Sequence, residues 1–348
     1  VMAIPSTTEI AGATGVSQPT VSRILAGKNH LFADKTVELV LKTAEEMGYR
    51  PNLLANGILR GRTHTIGIMV PFRIDGFYSQ IVLGAHDRLI ESGNAPLLML
   101  STSRHAEEEQ INALLDRRVD GVIYRSMDYV HTEDELTPFV DKDLPCCTIN
   151  RDVSPQVDAV YTDDVEGARK AAAHLLELGH RDVAFVSWGC AGKDASPLGM
   201  RYGVFCEEIE KAGGTVHVAI DPGGEVEGLG ERLAAQVLET TPRPTAIFMG
   251  MDHMAWGVYR VARRMGLRIP EDLSVVGFAD LPFAARLDPP LTTLRQDPYQ
   301  IGWQAADLLL ARVEKKQGKG KQPPPRKVAL KPELVVRRST ADVSSGNS

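Results

Sequence analysis

Cysteine is scarce in this sequence. There are four in 348 residues: Cys146 and Cys147 are adjacent, while Cys190 and Cys206 stand alone. No C-x-x-C or other metal-ligand spacing occurs, so no disulfide framework and no metal site is expected. All four are expected to be reduced and at least partly buried thiols. Long apolar runs are missing too. None approaches the roughly 18 residues of a membrane span, and Val1–Thr8 lacks the basic start and apolar core of a secretory leader. A cytoplasmic protein without membrane contact is expected. There is no G-x-S-x-G elbow, no H-E-x-x-H and no phosphate-binding P-loop. An enzyme is therefore not expected, and no cofactor is implied.

What is present is a chain long enough for two or three domains, with an ordinary 43% hydrophobic share. The net charge of −6 argues at first against nucleic acid, but the charge is unevenly spread. Residues 1–62 carry seven Lys/Arg against five Asp/Glu, residues 63–310 carry 22 against 37, and residues 311–338 carry ten against two. A mildly basic head on an acidic body suits a small DNA-binding module joined to a domain that does not touch DNA. The basic stretch near the end also reads simply as a solvated Lys-rich loop.

Two rhythms run along the chain. Residues 6–50 read as short helices: Thr7–Ala13 capped by Ser6, a second to Leu25 capped by Ser17, and a third capped by Asp34. An apolar stripe of Val37, Leu41, Ala44 and Met47 marks the third, and Gly48 stops it. From Thr65 onward short apolar strands alternate with helices of about a dozen residues, which predicts parallel sheets covered by helices on both faces. About ten such units exceed one comfortable sheet, so two similar lobes are expected, with a ligand between them at the carboxyl ends of the strands. Lys315–Pro325 reads as a flexible loop, Lys331–Val336 as a last strand and 339–348 as a disordered tail.

The segment Glu9–Leu25 has the parts of a helix-turn-helix. Ala11 is the small residue of helix one, Gly15 makes the turn, and Ile10, Val16, Val21 and Leu25 are apolar anchors. Ser17, Gln18, Thr20, Ser22 and Arg23 place polar groups where a second helix reaches base edges; glutamine pairs with adenine and arginine with guanine in the major groove. An amphipathic helix pair with no DNA role is the plainer alternative.

The order I-A-x-x-x-G-V-S-x-x-T-V-S-R-x-L over Ile10–Leu25, then Gly48-Tyr-Arg-Pro-Asn52, then Thr63–Pro71, resembles the LacI/GalR (lactose-repressor) family of bacterial transcription regulators. The likeness continues through Val119–Val122, Gly179–Arg181, Pro244–Phe248, Ile269–Phe278, Pro289–Thr293 and Leu334–Thr340, so it spans essentially the whole chain. The resemblance implies an all-α helix-turn-helix headpiece (1–50), a hinge helix or linker (51–62) and a two-lobed α/β domain like periplasmic binding proteins (63–338). It intertwines the lobes, roughly 63–160 plus 292–322 and 161–291 plus 323–338. It implies double-stranded DNA with a palindromic operator, a homodimer, and a small-molecule effector, a sugar among the options. Repressor is the family habit; an activator and a ligand-binding protein that does not bind DNA are the alternatives.

Residue by residue, the resemblance makes Gln18, Pro19, Ser22 and Arg23 base readers, Pro19 through apolar contact alone. Thr7, Ala26, His30 and Thr36 match backbone-contacting or supporting positions. Asn52 falls in the hinge motif, Ile58 at the minor-groove wedge with Ala55 beside it, and Gly57 weakens that helix by roughly 1 kcal/mol. Effector candidates are Phe77, Tyr78, Arg125, Asn150, Asp163, Ser196, Arg201, Asp252 and Asp280. Plainer roles compete: lobe core for Phe77 and Tyr78, a helix cap for Asp163, an ion pair for Arg201. The family's G-F-D-D is Gly277-Phe-Ala-Asp280 here, so a carboxylate that accepts ligand hydroxyls is missing at Ala279.

Overall fold

The structure is a computed structural model and describes residues 5–49, 62–72, 76–125, 133–189, 196–221, 228–317 and 323–343. The chain divides into two compact units, Val1–Thr63 and His64–Ser348. In the first, α1 (Thr7–Thr14) opens on a reciprocal cap. The Ser6 hydroxyl accepts from the Glu9 amide at 3.3 Å, and the Glu9 carboxylate accepts from the Ser6 amide at 2.6 Å. Gly15 then takes φ +68°, a left-handed conformation that ends α1 at little cost for glycine. Next comes α2 (Gln18–Leu25), with Pro19 in its first turn, where a missing N–H breaks no bond.

The third helix, α3 (Asp34–Glu46), begins after Ala33, so Asp34 is its first residue and not its cap. There its carboxylate still faces the positive end of the helix dipole. The buried stripe is also displaced from the expected one. Val40 and Ala44 are buried, Val37 and Met47 half-buried, and Leu41 exposed. In α2 it is Ile24, more than Leu25, that joins Ile10 and Val21 in the core. The hinge positions Asn52, Ala55 and Ile58 lie outside the described residues, as does Cys190.

The second unit holds two six-stranded sheets. The first contains β1 (Thr65–Pro71), β2 (Ala95–Ser101), β3 (Gly121–Tyr124), β4 (Cys146–Ile149), β5 (Asp158–Thr162) and β11 (Lys327–Leu330), in the order β11-β5-β4-β3-β1-β2. The second contains β6 (Asp182–Trp188), β7 (Thr215–Asp221), β8 (Ala246–Met249), β9 (Ser274–Ala279), β10 (Thr292–Arg295) and β12 (Glu333–Val335), in the order β12-β10-β9-β8-β6-β7. All pairings are parallel except β10 with β12. Parallel strands need helical crossovers. These are α4 (Gly76–Glu91) and α5 (Arg104–Asp116) in the first lobe, with the one-turn α6 (Thr137–Val140) before β4. The second lobe has α7 (Asp164–Glu177), α8 (Pro197–Lys211), α9 (Leu229–Leu238) and α10 (Ala255–Arg264).

The chain crosses between lobes after β5, after β10 and after β11. The crossings touch: Gln296 Nε2 donates to Thr162 Oγ1 at 2.7 Å, and the Asp163 amide to the Leu330 carbonyl at 2.8 Å. The second crossing leads to α11 (Pro298–Gln317), a long helix absent from the sequence reading, which lies against α4. Gly84 and Gly302 permit this. A Cβ on Gly302 would overlap the Ile81 carbonyl oxygen, and one on Gly84 the Tyr299 carbonyl oxygen.

Three expectations are corrected. Residues 292–295 belong to the second lobe, because β10 pairs with β9 there. Residues 327–330 belong to the first, because β11 pairs with β5. Residues 339–343 are packed, not loose: Ser339 is fully buried, its hydroxyl donates to the Val275 carbonyl at 2.6 Å, and it accepts from the Thr292 amide at 2.7 Å. Specific polar partners hold a segment whose composition has little apolar character.

Candidate nucleic-acid interface and ligand cavity

The solvent face of α2 follows from its core face. With Val21 and Ile24 buried, Gln18, Pro19, Ser22 and Arg23 fall on the exposed side, with Ser17 just before them. Thr20 is half-buried and its hydroxyl bonds the Ser17 hydroxyl at 2.9 Å, in place of a cap to the backbone. The Gln18 amide donates to Thr7 Oγ1 at 3.0 Å, which joins two predicted DNA-contacting residues from different helices. Thr7 and Thr36 are half-buried, while Ala26 and His30 are exposed, His30 in the turn Asn29–Leu31. The structure thus joins the exposed face of α2 to the start of α1.

In the larger unit a narrow cavity of about 50 Å³ lies between the lobes at the carboxyl ends of the strands. Five of the nine predicted effector residues line it: Phe77, Tyr78, Arg125 and Asn150 from the first lobe and Arg201 from the second. Phe77 and Tyr78 begin α4 and meet edge to face with centroids 5.5 Å apart. They serve the apolar core and the cavity wall together. Arg125 follows β3 and is 4% exposed. Asn150 follows β4 with φ +60°, and its side-chain oxygen is buried with no hydrogen-bond partner among the described residues.

Arg201 is the fifth residue of α8, just past the first turn and towards the end where the helix dipole disfavours a cation. Three contacts offset this. Its Nε donates to Asp164 Oδ1 at 2.7 Å, its Nη1 to the Gly250 carbonyl at 2.7 Å, and the guanidinium lies 3.5 Å from the centre of the Phe278 ring. The partner is buried, not on the surface: burial pushes Asp164 up to about 6 against the pull of Arg201.

The remaining four candidates do not line the cavity. Asp163 caps α7, accepting from the Glu166 amide at 2.9 Å, and Ser196 caps α8, accepting from the Gly199 amide at 3.0 Å. Asp252 is fully buried; it accepts from Thr293 Oγ1 at 2.7 Å and from the Leu281 amide at 2.9 Å, and burial raises it to about 6. Asp280 is clamped by Arg295 at 2.8 Å and Arg337 at 2.6 Å.

Sequence reasoning missed part of the lining: Pro197 and Leu198 beside Ser196, Met251 and His253 on either side of Asp252, Leu281, and Gln296. Adjacency to residues already singled out was a usable signal for most. Gln296 had none, because the strand before it went unrecognised. Ala279 also lines the cavity, at φ +137°, followed by Asp280 at +55°. Two consecutive non-glycine residues at positive φ store backbone strain at the wall. Trp188 lies in the core of the second lobe and donates from Nε1 to the sulfur of the cavity-lining Met251 at 2.9 Å.

Among the described residues no group of His, Cys, Asp and Glu could hold a metal ion, and no helix is long and apolar enough to cross a membrane. Burial pushes the thiols of Cys146 and Cys147 up, far from the reactive thiolate form.

Two family models match: bacterial regulatory proteins of the lacI family over residues 7–52, and a periplasmic binding protein-like domain over residues 172–340. Among curated relatives, the HTH-type transcriptional regulator DegA of Bacillus subtilis is 31% identical over 97% of this chain and 98% of its own length. The HTH-type transcriptional repressor PurR of Vibrio vulnificus is 30% identical over 97% and 98%. Among solved structures, the Lac repressor dimer bound to operator and the anti-inducer ONPF superposes with a TM-score of 0.82, 26% identity, and 97% and 100% coverage. The complex of the regulator CelR with cellobiose gives 0.69, 29%, and 96% and 99%.

Proposed function

The chain belongs to the LacI family of bacterial transcription regulators, and on that premise we propose a repressor whose hold on operator DNA is set by a small-molecule effector, a sugar or related metabolite. The observation that carries the reading is the coexistence of two surfaces in one chain. One is the polar face of α2 over its apolar core; the other is a cavity walled from both lobes. Gln18, Ser22 and Arg23 read base edges in the major groove, and Pro19 makes apolar contact. Ser17, Thr20, Thr7 and His30 position the head on the backbone. Asn52, Ala55 and Ile58 belong to the hinge, with Ile58 as the minor-groove wedge.

Phe77, Tyr78, Arg125 and Asn150 hold the effector from one lobe and Arg201 from the other. A ligand bonded to both lobes fixes the angle between them, and its differential affinity for two such angles is the coupling energy available to the DNA head. The protein acts as a homodimer on a two-fold operator, without catalysis, in the cytoplasm where the chromosome lies. Support for the dimer comes from an apolar surface. Leu98 and Leu100 on the edge strand β2 are exposed on the sheet face that carries α4, and Leu83 and Ile90 of α4 are exposed beside them.

Selection from random duplex DNA with the purified chain, with and without a metabolite panel, tests the reading. A palindromic site whose recovery shifts with a metabolite is expected. Recovery of no palindrome would overturn it.

A further inference from the structure

Two residues that the head brings together bear on how one base is chosen. Thr7 is the first residue of α1 and Gln18 the first of α2, 11 residues further on. The Gln18 side-chain nitrogen Nε2 donates to Thr7 Oγ1 at 3.0 Å. Among the described residues Thr7 is the one hydrogen-bond partner of that amide. Thr7 is itself held in place: it is half-buried, and the reciprocal cap between Ser6 and Glu9 fixes the start of its helix. The start of α2 is fixed as well, by the bond between the Ser17 and Thr20 hydroxyls.

The consequence follows from counting donors. A glutamine amide has two N–H groups and one carbonyl oxygen. In the major groove adenine offers N7 as an acceptor and its N6 amino group as a donor, whereas guanine offers two acceptors, N7 and O6. Glutamine pairs with adenine through one N–H and its oxygen. It can satisfy both acceptors of guanine only with two N–H groups. Thr7 engages one N–H of Gln18 and leaves what adenine needs. The same bond opposes rotation of the amide, which would exchange nitrogen and oxygen, and it restricts a long side chain before DNA arrives. The Thr7 hydroxyl keeps its own proton, free for a phosphate oxygen.

We propose that Thr7 is a positioning residue for sequence specificity: by engaging one N–H of Gln18 it restricts that side chain to adenine and shuts out guanine. Thr7 acts through Gln18 and not on the base. This rests on the reading of Gln18 as a base reader.

The test uses the purified full chain and the palindrome recovered by DNA selection. That site is remade as duplexes carrying each of the four base pairs in turn at every half-site position. Gln18→Ala locates the base pair that Gln18 reads, as the position where discrimination collapses. There the unmodified protein prefers adenine to guanine by at least about tenfold. Thr7→Val keeps the shape of threonine without its hydroxyl, and it lowers that ratio by at least about threefold. Loss of a phosphate contact would weaken all duplexes alike and leave the ratio unmoved. Thr7→Ser keeps the ratio within about twofold. With Gln18→Ala already in place, Thr7→Val changes no base preference. Thr7→Ala replaces the valine variant if that one loses its helical far-ultraviolet signal. A ratio that Thr7→Val leaves unchanged, or a preference for guanine at this position in the unmodified protein, overturns the inference and leaves Gln18 a base reader. A change of preference that persists in the Gln18→Ala background places Thr7 on the base itself and also overturns it. Gln18→Ala without a collapse at any position, or selection that returns no palindrome, overturns both the inference and the reading beneath it.

Discussion

Arg201 and Asp164, 37 residues apart, meet at 2.7 Å where both side chains are almost fully removed from solvent. Removing one partner of such a pair strands the other charge, which costs about 3–5 kcal/mol, whereas replacing both with apolar groups is often neutral. Arg201→Met should therefore destabilise the large unit by that order in urea unfolding. The double variant Arg201→Met with Asp164→Leu should recover most of the loss. Equal stability of the single and double variants would show that the pair does not act as a unit.

On the head, Arg23→Ala should cost about 1–3 kcal/mol of operator binding and relax preference at one base pair of each half-site. His30→Ala should weaken binding evenly across sequences. Titrations on a set of single-base operator variants separate the two. A uniform loss for Arg23→Ala would remove it from the base readers.

Helix packing in the first lobe offers a sharper steric test. Gly302→Ala places a methyl against the Ile81 carbonyl of α4. Helix propensity alone would favour alanine by about 1 kcal/mol. Overpacking should outweigh this and destabilise by about 1–3 kcal/mol. A urea midpoint at or above that of the unmodified protein would mean the helices are not in such close contact.

A buried histidine sets a pH dependence. His180 bonds Thr245 at 2.9 Å, Ser274 at 3.0 Å and the Ala341 carbonyl at 3.1 Å, and burial holds its pKa below the ordinary value. The unfolded chain therefore takes up a proton near the ordinary histidine pKa, where the folded chain does not. The contribution of His180 is fully present at higher pH and is lost as pH falls through that window. His174, also held low by burial, acts in the same direction. Asp164 and Asp252, both raised to about 6, act oppositely below that pH, because the folded state binds their protons first. The melting temperature of His180→Gln should fall less steeply than that of the unmodified protein between about pH 7 and about pH 5.5. Parallel profiles would show that His180 does not titrate between the two states.

The cap at Ser6 gives a local prediction. Ser6→Ala should cost about 1 kcal/mol and speed amide exchange across α1 without changing exchange in the α/β unit. Unchanged exchange in Thr7–Thr14 would mean that the Glu9 carboxylate alone secures the helix end.

The head was largely legible because its determinants are local. The Ser6 cap, the Gly15 turn and the anchors Ile10 and Val21 act within a few residues, and they leave Gln18, Pro19, Ser22 and Arg23 outside, although Ile24 and not Leu25 completes the core. Alternation of strands and helices likewise carried the two-lobed parallel architecture, since each βα unit announces itself in its own apolar pattern. Tertiary structure alone decided which lobe owns β10 and β11. Each pairs with a strand distant in sequence or across a lobe crossing, and a short apolar run says nothing about its partner. It also decided the fate of the carboxylates. Asp163 meets the local cap that its position already offered. Asp252 and Asp280 look like ligand acceptors in one dimension, yet each is taken by a neighbour that folding brings to it, a hydroxyl or a guanidinium. A side chain's type is written in the chain, but its free valence depends on long-range partners.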